Sequence, residues 1–309
     1  MKVLITGCAG FIGSRVIHIL LKEGFEIAVV DNLSTGSKNN VPSGIPFYQI
    51  SIQDPILEDI FLKEKPESII HLATQVSVKD SMKNPIADEN INITGTLNLL
   101  EKCIKYNVRK IIYTSTAAVY GKPVYLPNNE QHHLNPISFY GLSKLTAEKY
   151  IRLFSKIYGL NYMILRLANV YGMNQNVNGE AGVVASFINR LNNGEAPIIY
   201  GDGKQTRDFI FVDDVASAVS KSLHNKNQVL NISSQNKTSI NELAHSLMKI
   251  YNVNHPIIYR DSRMGEIKDS LLDKNYAKEK LNWSPRYSLE GGLIKTIEYN
   301  RKAADDDLI

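Results

Sequence analysis

Cysteine is scarce in this 309-residue chain, which contains only Cys8 and Cys103. Two cysteines cannot form a disulfide framework, and their spacing does not match a metal site, so we expect a reducing compartment. Long apolar runs are missing too, because no segment approaches the roughly 18 uninterrupted apolar residues of a membrane-spanning helix. The N-terminal apolar run soon meets Gly7 and lacks the core of a signal peptide. We therefore predict a cytoplasmic protein without a membrane partner.

Long runs of like charge are also absent, and the formal net charge is only +4. A nucleic-acid-binding protein would concentrate Lys and Arg in a stripe, so we expect no nucleic-acid partner. The small positive excess suits an anionic small molecule. Apolar residues make up 43% of the chain, which is ordinary for a globular protein, and the length allows about two domains.

Short apolar runs alternate with helical stretches through the first half of the chain. The runs typical of buried strands are 3–5, 27–30, 47–49, 68–72, 110–113 and 162–167. The helical stretches lie near 11–23, 55–63, 88–106 and 139–157. This alternation predicts an α/β fold with a doubly wound parallel (Rossmann) sheet and right-handed crossovers.

The pattern becomes irregular from about residue 170, and a strand–helix–strand unit returns at 208–233. We therefore predict two domains. The Rossmann domain comprises residues 1–169 plus about 208–235. A smaller, discontinuous C-terminal substrate domain comprises about 170–207 and 236–309.

Gly7, Gly10 and Gly13 form a G-x-x-G-x-x-G motif between the first predicted strand and a helix. Glycine at these positions permits a tight turn, close approach of a pyrophosphate and close helix–strand packing. Asp31 ends the next predicted strand, where a carboxylate can bind both adenosine ribose hydroxyls and repel a 2′-phosphate. Although Arg15 is a nearby cation, this arrangement favours NAD over NADP.

Tyr140 and Lys144 lie four residues apart on a predicted helix, and therefore on one face. A free tyrosine titrates near 10, so a tyrosine base near pH 7 needs its pKa lowered by about three units. Lys144 and the positive nicotinamide ring of oxidised NAD could together supply that. Taken alone, the pair could also be a packed tyrosine and a surface lysine. The glycine motif, Asp31 and the hydroxyls of 114–116 favour the catalytic interpretation.

Together these motifs resemble the extended short-chain dehydrogenase/reductase family over essentially the whole chain. The residues that carry the resemblance are Gly7, Gly10, Gly13, His71-Leu72-Ala73, Thr114-Ser115-Thr116, Tyr140, Lys144 and the segment 166–172, RLANVYG. The segment 201–214, GDGKQTRDFIFVDD, is typical of the nucleotide-sugar epimerase and dehydratase branch. Within that branch the chain is most similar to the UDP-glucose 4-epimerases.

The resemblance implies a hydride-transfer reaction at C4 of a UDP-sugar. Tyr140 would remove the proton of the 4-hydroxyl as hydride leaves C4 for NAD, and Thr116 would bridge Tyr140 and the sugar O4. Lys144 would tune Tyr140 and hold the nicotinamide ribose. The 4-keto sugar would then turn over and take its hydride back on the opposite face, so NAD would stay tightly bound.

Two alanines distinguish this chain from other members of the branch. Relatives that eliminate water carry an Asp-Glu pair directly after the threonine, and sugar-acid decarboxylases carry a Glu at the second position. Ala117 and Ala118 can neither donate nor accept a proton, which favours simple 4-epimerisation. The alternatives are a nucleotide-sugar reductase or dehydrogenase, a UDP-glucuronate 4-epimerase and, least favoured, a non-catalytic NAD-binding protein.

The same resemblance implies the residues that contact each ligand. The cofactor contacts are Gly7, Gly10, Phe11, Ile12, Gly13, Asp31, Asn32, Leu72, Ala73, Thr114, Tyr140, Lys144 and Leu167. The substrate contacts are Asn92, Thr116, Asn169, Val183, Tyr200, Arg207, Arg263, Glu266 and Ser270. Asn169 and the two arginines would bind the diphosphate, Tyr200 the uracil, Glu266 the uridine ribose and Asn92 the sugar.

Ser270 would stand beside the 2-substituent of the sugar. A tyrosine there restricts the family's site to glucose and galactose, whereas the small serine leaves room for an N-acetyl group. We therefore expect UDP-GlcNAc and UDP-GalNAc to fit as well as UDP-glucose and UDP-galactose. Helices near 88–106 and 139–157 resemble the pair that forms a homodimer interface in the family.

No metal is expected. His132 and His133 lack a third ligand at zinc spacing and are predicted to be surface histidines, and His71 is predicted to be structural. Asp213 and Asp214 are predicted to cap a helix at 215–223.

Overall fold

A seven-stranded parallel sheet is the largest element of the computed structural model, which describes residues 1–175, 182–262 and 267–306. The strands of this part of the chain are β1 (Lys2–Thr6), β2 (Glu26–Val30), β3 (Phe47–Tyr48), β4 (Ser68–His71), β5 (Lys110–Thr116), β6 (Asn161–Leu167), β7 (Asn169–Tyr171), β8 (Ile198–Tyr200), β9 (Thr206–Phe211), β10 (Gln228–Ile232), β11 (Lys237–Ser239) and β12 (Ile258–Arg260). The order in the large sheet is β10-β6-β5-β4-β1-β2-β3. This is the doubly wound arrangement, and the predicted α/β fold is confirmed.

Helices cover both faces of this sheet, and further helices pack with the two smaller sheets. The α-helices of the described residues are α1 (Phe11–Lys22), α2 (Leu57–Glu64), α3 (Val78–Lys83), α4 (Pro85–Glu89), α5 (Gly95–Lys105), α6 (Phe139–Tyr158), α7 (Val183–Asn192), α8 (Val212–Ser222), α9 (Ile240–Tyr251), α10 (Asn275–Leu281) and α11 (Leu289–Asp306). None of them combines the length and apolarity needed to cross a membrane.

The central strands are almost continuously apolar because a parallel sheet is buried on both faces. Val3 and Ile5 of β1 pack with α1 and α8 on one face. Leu4, the residue between them, packs with α2, α5 and α6 on the other. A third apolar cluster joins β7, β9, α7, α9 and α11, around Phe187 and Leu247. Along the strands, alternate residues therefore belong to opposite sides of the sheet, and along the helices the buried residues recur with the helical period.

The strand order reverses between β1 and β4. From β1 the chain adds β2 and β3 on one side, and β4, β5 and β6 follow on the other side. Ligands of open α/β sheets bind outside the carboxyl ends of the strands at such a point. The glycine motif follows β1, and Thr116 ends β5. The topology thus places the predicted cofactor and catalytic motifs at one edge of the sheet.

The strand–helix–strand unit predicted at 208–233 has its two strands in different sheets. β10 pairs in parallel with β6 and extends the large sheet. β9 instead pairs with β7 and β11 in a separate three-stranded sheet. The predicted division of the chain into two domains, including residues 208–235 in the first, stays a prediction.

Three local predictions are corrected. The predicted helix 88–106 is interrupted by a π-helical turn, Asn90–Thr94, between α4 and α5. His132 is not a surface residue, since it is 3% exposed and its Nε2 accepts a hydrogen bond from the Val124 N–H. Asp213 and Asp214 do not cap a helix, because α8 already begins at Val212 and its N-cap residue makes no side-chain cap.

Candidate functional site

The turn after β1 is a cradle that only glycine fits. Gly7 has φ +71°, and a Cβ on it would lie 2.3 Å from the Ala73 nitrogen. A Cβ on Gly13 would lie 2.2 Å from the Cys8 Cα. Helix α1 starts directly after Gly10, and no side chain caps the N–H groups at its N-terminus. These donors and the positive end of the helix dipole suit the pyrophosphate of a dinucleotide.

Asp31 stands beside this cradle at the end of β2. Its Oδ2 accepts a hydrogen bond from the Ala9 N–H, and its Oδ1 accepts one from the Leu33 N–H, both at 2.8 Å. Each carboxylate oxygen has a second lone pair with which to accept from a ribose hydroxyl. Arg15 Nε lies 2.6 Å from Oδ1 of Asp213. Its charge is therefore paired within the protein, which removes the argument for a 2′-phosphate.

Tyr140 and Lys144 occupy the first turns of α6, whose N-cap Ser138 accepts a hydrogen bond from the Gly141 N–H at 3.1 Å. A Cβ on Gly141 would lie 2.7 Å from the Ala118 carbonyl oxygen. This glycine lets α6 pack directly against the 3₁₀ helix that follows β5. As a result the side chain of Thr116 lies close enough to Tyr140 to favour the ionised form of the phenol.

Burial dominates the electrostatics of this pair. Desolvation raises the pKa of Tyr140 to about 12, although the side chain of Thr116 opposes the rise. Desolvation also lowers the pKa of Lys144 to about 7. The predicted lowering of the Tyr140 pKa requires the positive nicotinamide ring as well as Lys144, and it stays a prediction.

Lys144 is 2% exposed and lies between two neighbouring elements. Its Nζ donates to Thr74 Oγ1 at 3.4 Å and stands 4.3 Å from the centroid of the Tyr113 ring. Neither contact partner was predicted, because the sequence gives no signal that places residue 74 or residue 113 beside residue 144. The hydroxyl and the ring face together fix the position of the Lys144 ammonium.

The three hydroxyls at the end of β5 have three different partners. Thr114 Oγ1 donates to the His71 carbonyl at 3.4 Å, and the Ser115 hydroxyl donates to Glu148. Thr116 alone interacts with Tyr140, and its Oγ1 also accepts a hydrogen bond from the Ala118 N–H at 3.2 Å. The hydroxyl cluster therefore contains one member directed to the candidate chemistry and two that support the strand end.

His71 is structural, as predicted. Its Nδ1 and Nε2 contact the hydroxyls of Thr6 and Thr96 at 2.8 and 3.0 Å. Burial lowers its pKa to about 3, so it stays neutral at physiological pH. Within the described ranges, no cluster of three or more His, Cys, Asp or Glu could hold a metal ion.

The remaining cofactor candidates line the same edge. Phe11 and Ile12 open α1, Asn32 follows Asp31, and Leu72 and Ala73 follow β4 beside the glycine cradle. Leu167 pairs with Thr116 across β5 and β6. These positions are compatible with the predicted cofactor contacts, which stay predictions.

Three of the predicted substrate residues, Asn169, Arg207 and Ser270, lie at or beside β9. Asn169 is exposed and pairs with Phe209, two residues beyond Arg207. The Arg207 guanidinium donates to the Thr206 carbonyl at 2.9 Å, and the Ser270 N–H donates to the same carbonyl at 3.2 Å. The structure thus brings these three residues close to one another.

Other predicted substrate residues lie at element ends or outside the structure. Val183 opens α7, and Tyr200 ends β8. Arg263 and Glu266 lie outside the described residues. Asn92 is 1% exposed, and its amide is hydrogen-bonded within the protein. Its predicted role in positioning the sugar stays a prediction, and its burial limits that role to an indirect one.

Comparison with known proteins points to one family. The profile of the NAD-dependent epimerase/dehydratase family matches residues 3–233. Over 309 aligned residues, the chain is 37% identical to the UDP-glucose 4-epimerase of Mycolicibacterium smegmatis, covering 97% of this chain and 99% of that protein.

Solved structures agree with this result. The UDP-glucose 4-epimerase of Thermotoga maritima, crystallised with UDP-glucose, matches with a TM-score of 0.96 and 44% identity, covering 98% of this chain and all of that chain (100%). The UDP-N-acetylglucosamine 4-epimerase of Methanobrevibacter ruminantium, in complex with UDP-N-acetylmuramic acid, matches with a TM-score of 0.93 and 33% identity, covering 98% of each chain.

The buried ammonium leads to a prediction for stability. Because the pKa of Lys144 is about 7 in the folded state and near 10.4 in the unfolded chain, the unfolded state binds more protons between these values. The stability of the protein therefore rises with pH across that window. Lys144→Met removes the charge and should raise the free energy of unfolding by about 2 kcal/mol at pH 6 and by less at pH 9.

Denaturant unfolding at the two pH values measures this difference. Lys249→Met, at an exposed position of α9, is the control and should show no pH-dependent gain. An equal gain for Lys144→Met at pH 6 and pH 9 would contradict the assignment of a buried, titrating ammonium.

Proposed function

We propose that this chain, which belongs to the NAD-dependent epimerase/dehydratase family, interconverts a UDP-hexose and its 4-epimer through a 4-keto intermediate. The observation that carries the proposal is the arrangement of the predicted catalytic residues. Thr116, Tyr140 and Lys144 converge at the strand end, and Ala117 and Ala118 follow Thr116 directly. The set contains a proton acceptor for the sugar O4 and no second acid–base pair for elimination or decarboxylation.

NAD is the cofactor of this family, and the cradle after β1 suits it. The loop of Gly7, Gly10 and Gly13 would hold the pyrophosphate, and Asp31 would accept hydrogen bonds from the adenosine ribose. When bound, NAD supplies a hydride acceptor and a positive ring charge. Lys144 would donate to the nicotinamide ribose from its buried position.

Tyr140 and Thr116 would carry out the proton transfer. Tyr140 takes the proton of the sugar 4-hydroxyl, and Thr116 aligns the phenol with O4. A phenol whose pKa is about 12 needs positive charge nearby to act as a base at neutral pH, and the Lys144 ammonium and the nicotinamide charge would both act in that direction. After the 4-keto sugar has turned over, C4 would take back the hydride on its opposite face, and Tyr140 would return the proton to O4.

Ser270 carries the proposal for the substrate. Its side chain is small, and its backbone is fixed next to Arg207 by the shared Thr206 carbonyl. We expect a UDP-sugar with an N-acetyl group at C2 to fit beside it, together with UDP-glucose. Asn169, Val183, Tyr200, Arg207, Arg263 and Glu266 are the proposed contacts to the uridine diphosphate.

A homodimer is proposed on the basis of an exposed apolar face. Ile86, Leu142, Leu153 and Ile157 are 79%, 50%, 49% and 59% exposed. Positions 142, 153 and 157 follow the helical period on one side of α6, and α4 packs against α6. A second copy of the chain would cover this face with helices near 88–106 and 139–157 and remove the apolar surface from water.

The reaction is tested with purified protein and no added cofactor, with UDP-glucose and UDP-GlcNAc in separate incubations resolved by chromatography. Conversion to the 4-epimers without net NADH is expected. Tyr140→Phe should lower the rate by about 100-fold or more, since it keeps the ring and removes the base. Stoichiometric NADH would favour the reductase alternative. No conversion of either sugar, even with added NAD, would contradict the proposal and direct the assay to UDP-glucuronate.

Substrate choice is tested at position 270. Ser270→Tyr should lower kcat/KM for UDP-GlcNAc by about tenfold or more relative to UDP-glucose, because the ring would occupy the space of the N-acetyl group. Ser270→Ala is the control that stays small and should keep the ratio. An unchanged ratio in the tyrosine variant would show that residue 270 does not border the sugar.

The dimer is tested by sedimentation. The wild-type protein should have about twice the chain mass of 34.7 kDa, and Leu153→Lys should shift it toward a single chain. Leu62→Lys changes a similarly exposed leucine on α2, 53% exposed, and should remain dimeric. A wild-type protein that sediments only as a single chain would rule out the proposed interface.

A further inference from the structure

Asp88 is a buried carboxylate that the proposed proton transfer does not use. It is 1% exposed and lies on α4, two residues before the π-helical turn. Burying a carboxylate is unfavourable unless hydrogen bonds or opposite charges compensate it. Burial does raise the pKa of Asp88, and the charge of Lys144 and an interaction with Ser143 oppose that rise. The surroundings of Asp88 therefore include two residues of the catalytic helix.

Hydrogen bonds connect Asp88 first to Asn92. Oδ1 of Asp88 accepts from Nδ2 of Asn92 and from Nε2 of Gln75, both at 3.1 Å. Oδ1 of Asn92 accepts from the Gln75 backbone N–H at 2.9 Å. Because an ionised carboxylate only accepts and a backbone N–H only donates, these partners fix which way the Asn92 amide points.

The oriented amide then reaches both catalytic residues. Its Nδ2 donates to Ser143 Oγ at 3.1 Å, and that hydroxyl donates to the Tyr140 carbonyl at 3.0 Å. Its Oδ1 accepts from Thr74 Oγ1 at 2.7 Å, and the same Oγ1 accepts from Lys144 Nζ at 3.4 Å. One carboxylate thus lies at the origin of two hydrogen-bonded branches, one to each member of the catalytic pair.

Charge gives Asp88 a second effect on Lys144. The titratable groups that interact with the ammonium are Asp88 from α4, Glu148 from α6, His71 from β4 and Tyr113 from β5. Glu148 is engaged by the Arg166 guanidinium through both oxygens, at 3.0 and 2.7 Å. His71 is neutral. Of the two carboxylates that face Lys144, only Glu148 has an arginine partner in the described part of the chain.

We propose that Asp88 is a positioning residue of the catalytic centre, which orients Asn92 and thereby Tyr140 and Lys144, and whose negative charge favours the ammonium form of the buried lysine. The inference rests on the proposed epimerase function. It assigns to Asp88 an action through neighbouring residues, without contact to substrate or cofactor. The sequence offered one signal for it, since Asp88 and Asn92 lie four residues apart on one helical face.

Asp88→Asn tests the proposal, because the amide keeps the size of the side chain and removes its charge. Loss of the negative charge should lower the pKa of Lys144 and that of Tyr140, both of which Asp88 raises. Both limbs of the pH profile of kcat should therefore move to lower pH by about half a unit or more. The value of kcat at pH 8 should fall by about tenfold, with KM for the UDP-sugar changed less than about threefold.

Asp80→Asn is the control, since it neutralises a carboxylate of the neighbouring helix α3 that is 63% exposed. It should leave kcat and both limbs unchanged. If Asp88→Asn does not fold, Asp88→Thr provides a second uncharged side chain of similar size, with the same expected shift. A variant of Asp88 that loses stability but keeps the wild-type pH profile would reduce the residue to a structural role and overturn the proposal.

A measurement that needs no turnover separates this inference from the proposed function. NMR of protein labelled with ¹³C at the lysine ε-carbons reports the titration of Lys144, whose signal is identified by its absence in Lys144→Met. Its midpoint should be lower in Asp88→Asn than in the wild type. An unchanged midpoint would overturn the inference even in an active epimerase. A lowered midpoint in a protein that converts no UDP-sugar would uphold the electrostatic role while the proposed function fails.

Discussion

A lysine ammonium enclosed by protein is the constraint around which this site is organised. The chain buries Lys144 almost completely, and a cation removed from water is unstable unless its surroundings replace the lost hydration. The replacement comes from the Thr74 hydroxyl, the face of the Tyr113 ring and two carboxylates. Because these groups belong to a loop, a strand and two helices, the position of Lys144 depends on the packing of the whole sheet edge.

The ion pair of Glu148 and Arg166 holds this edge together. Both side chains are at most 3% exposed, and the pair links α6 to β6, while Ser115 of β5 donates to the same carboxylate. A buried pair of this kind is strongly destabilising when one partner is removed. It therefore fixes α6 against β5, which is the geometry that lets Tyr140 meet Thr116. The π-helical turn also helps to hold α6, since it carries Asn92, whose amide donates a hydrogen bond to Ser143 of that helix.

The sequence by itself determined the fold class and the main site motifs. The alternation of strands and helices, the glycines of the first turn, Asp31 and the Tyr140/Lys144 spacing are all local patterns, and each follows from the geometry of a single turn, strand or helix. The strands and helices predicted for the first half of the chain agree with the structure, apart from the π-helical turn within 88–106. The same local reasoning identified the family resemblance.

Only the tertiary structure decided the environment of those motifs. Lys144 and its partner Thr74 are 70 residues apart in the chain, Arg15 and Asp213 are 198 apart, and no local pattern reports such contacts. The burial of His132 and the position of Asp88 behind the candidate catalytic pair were missed for the same reason. Desolvation and charge pairing depend on which distant segments exclude water from a group, and that is settled only when the chain has folded.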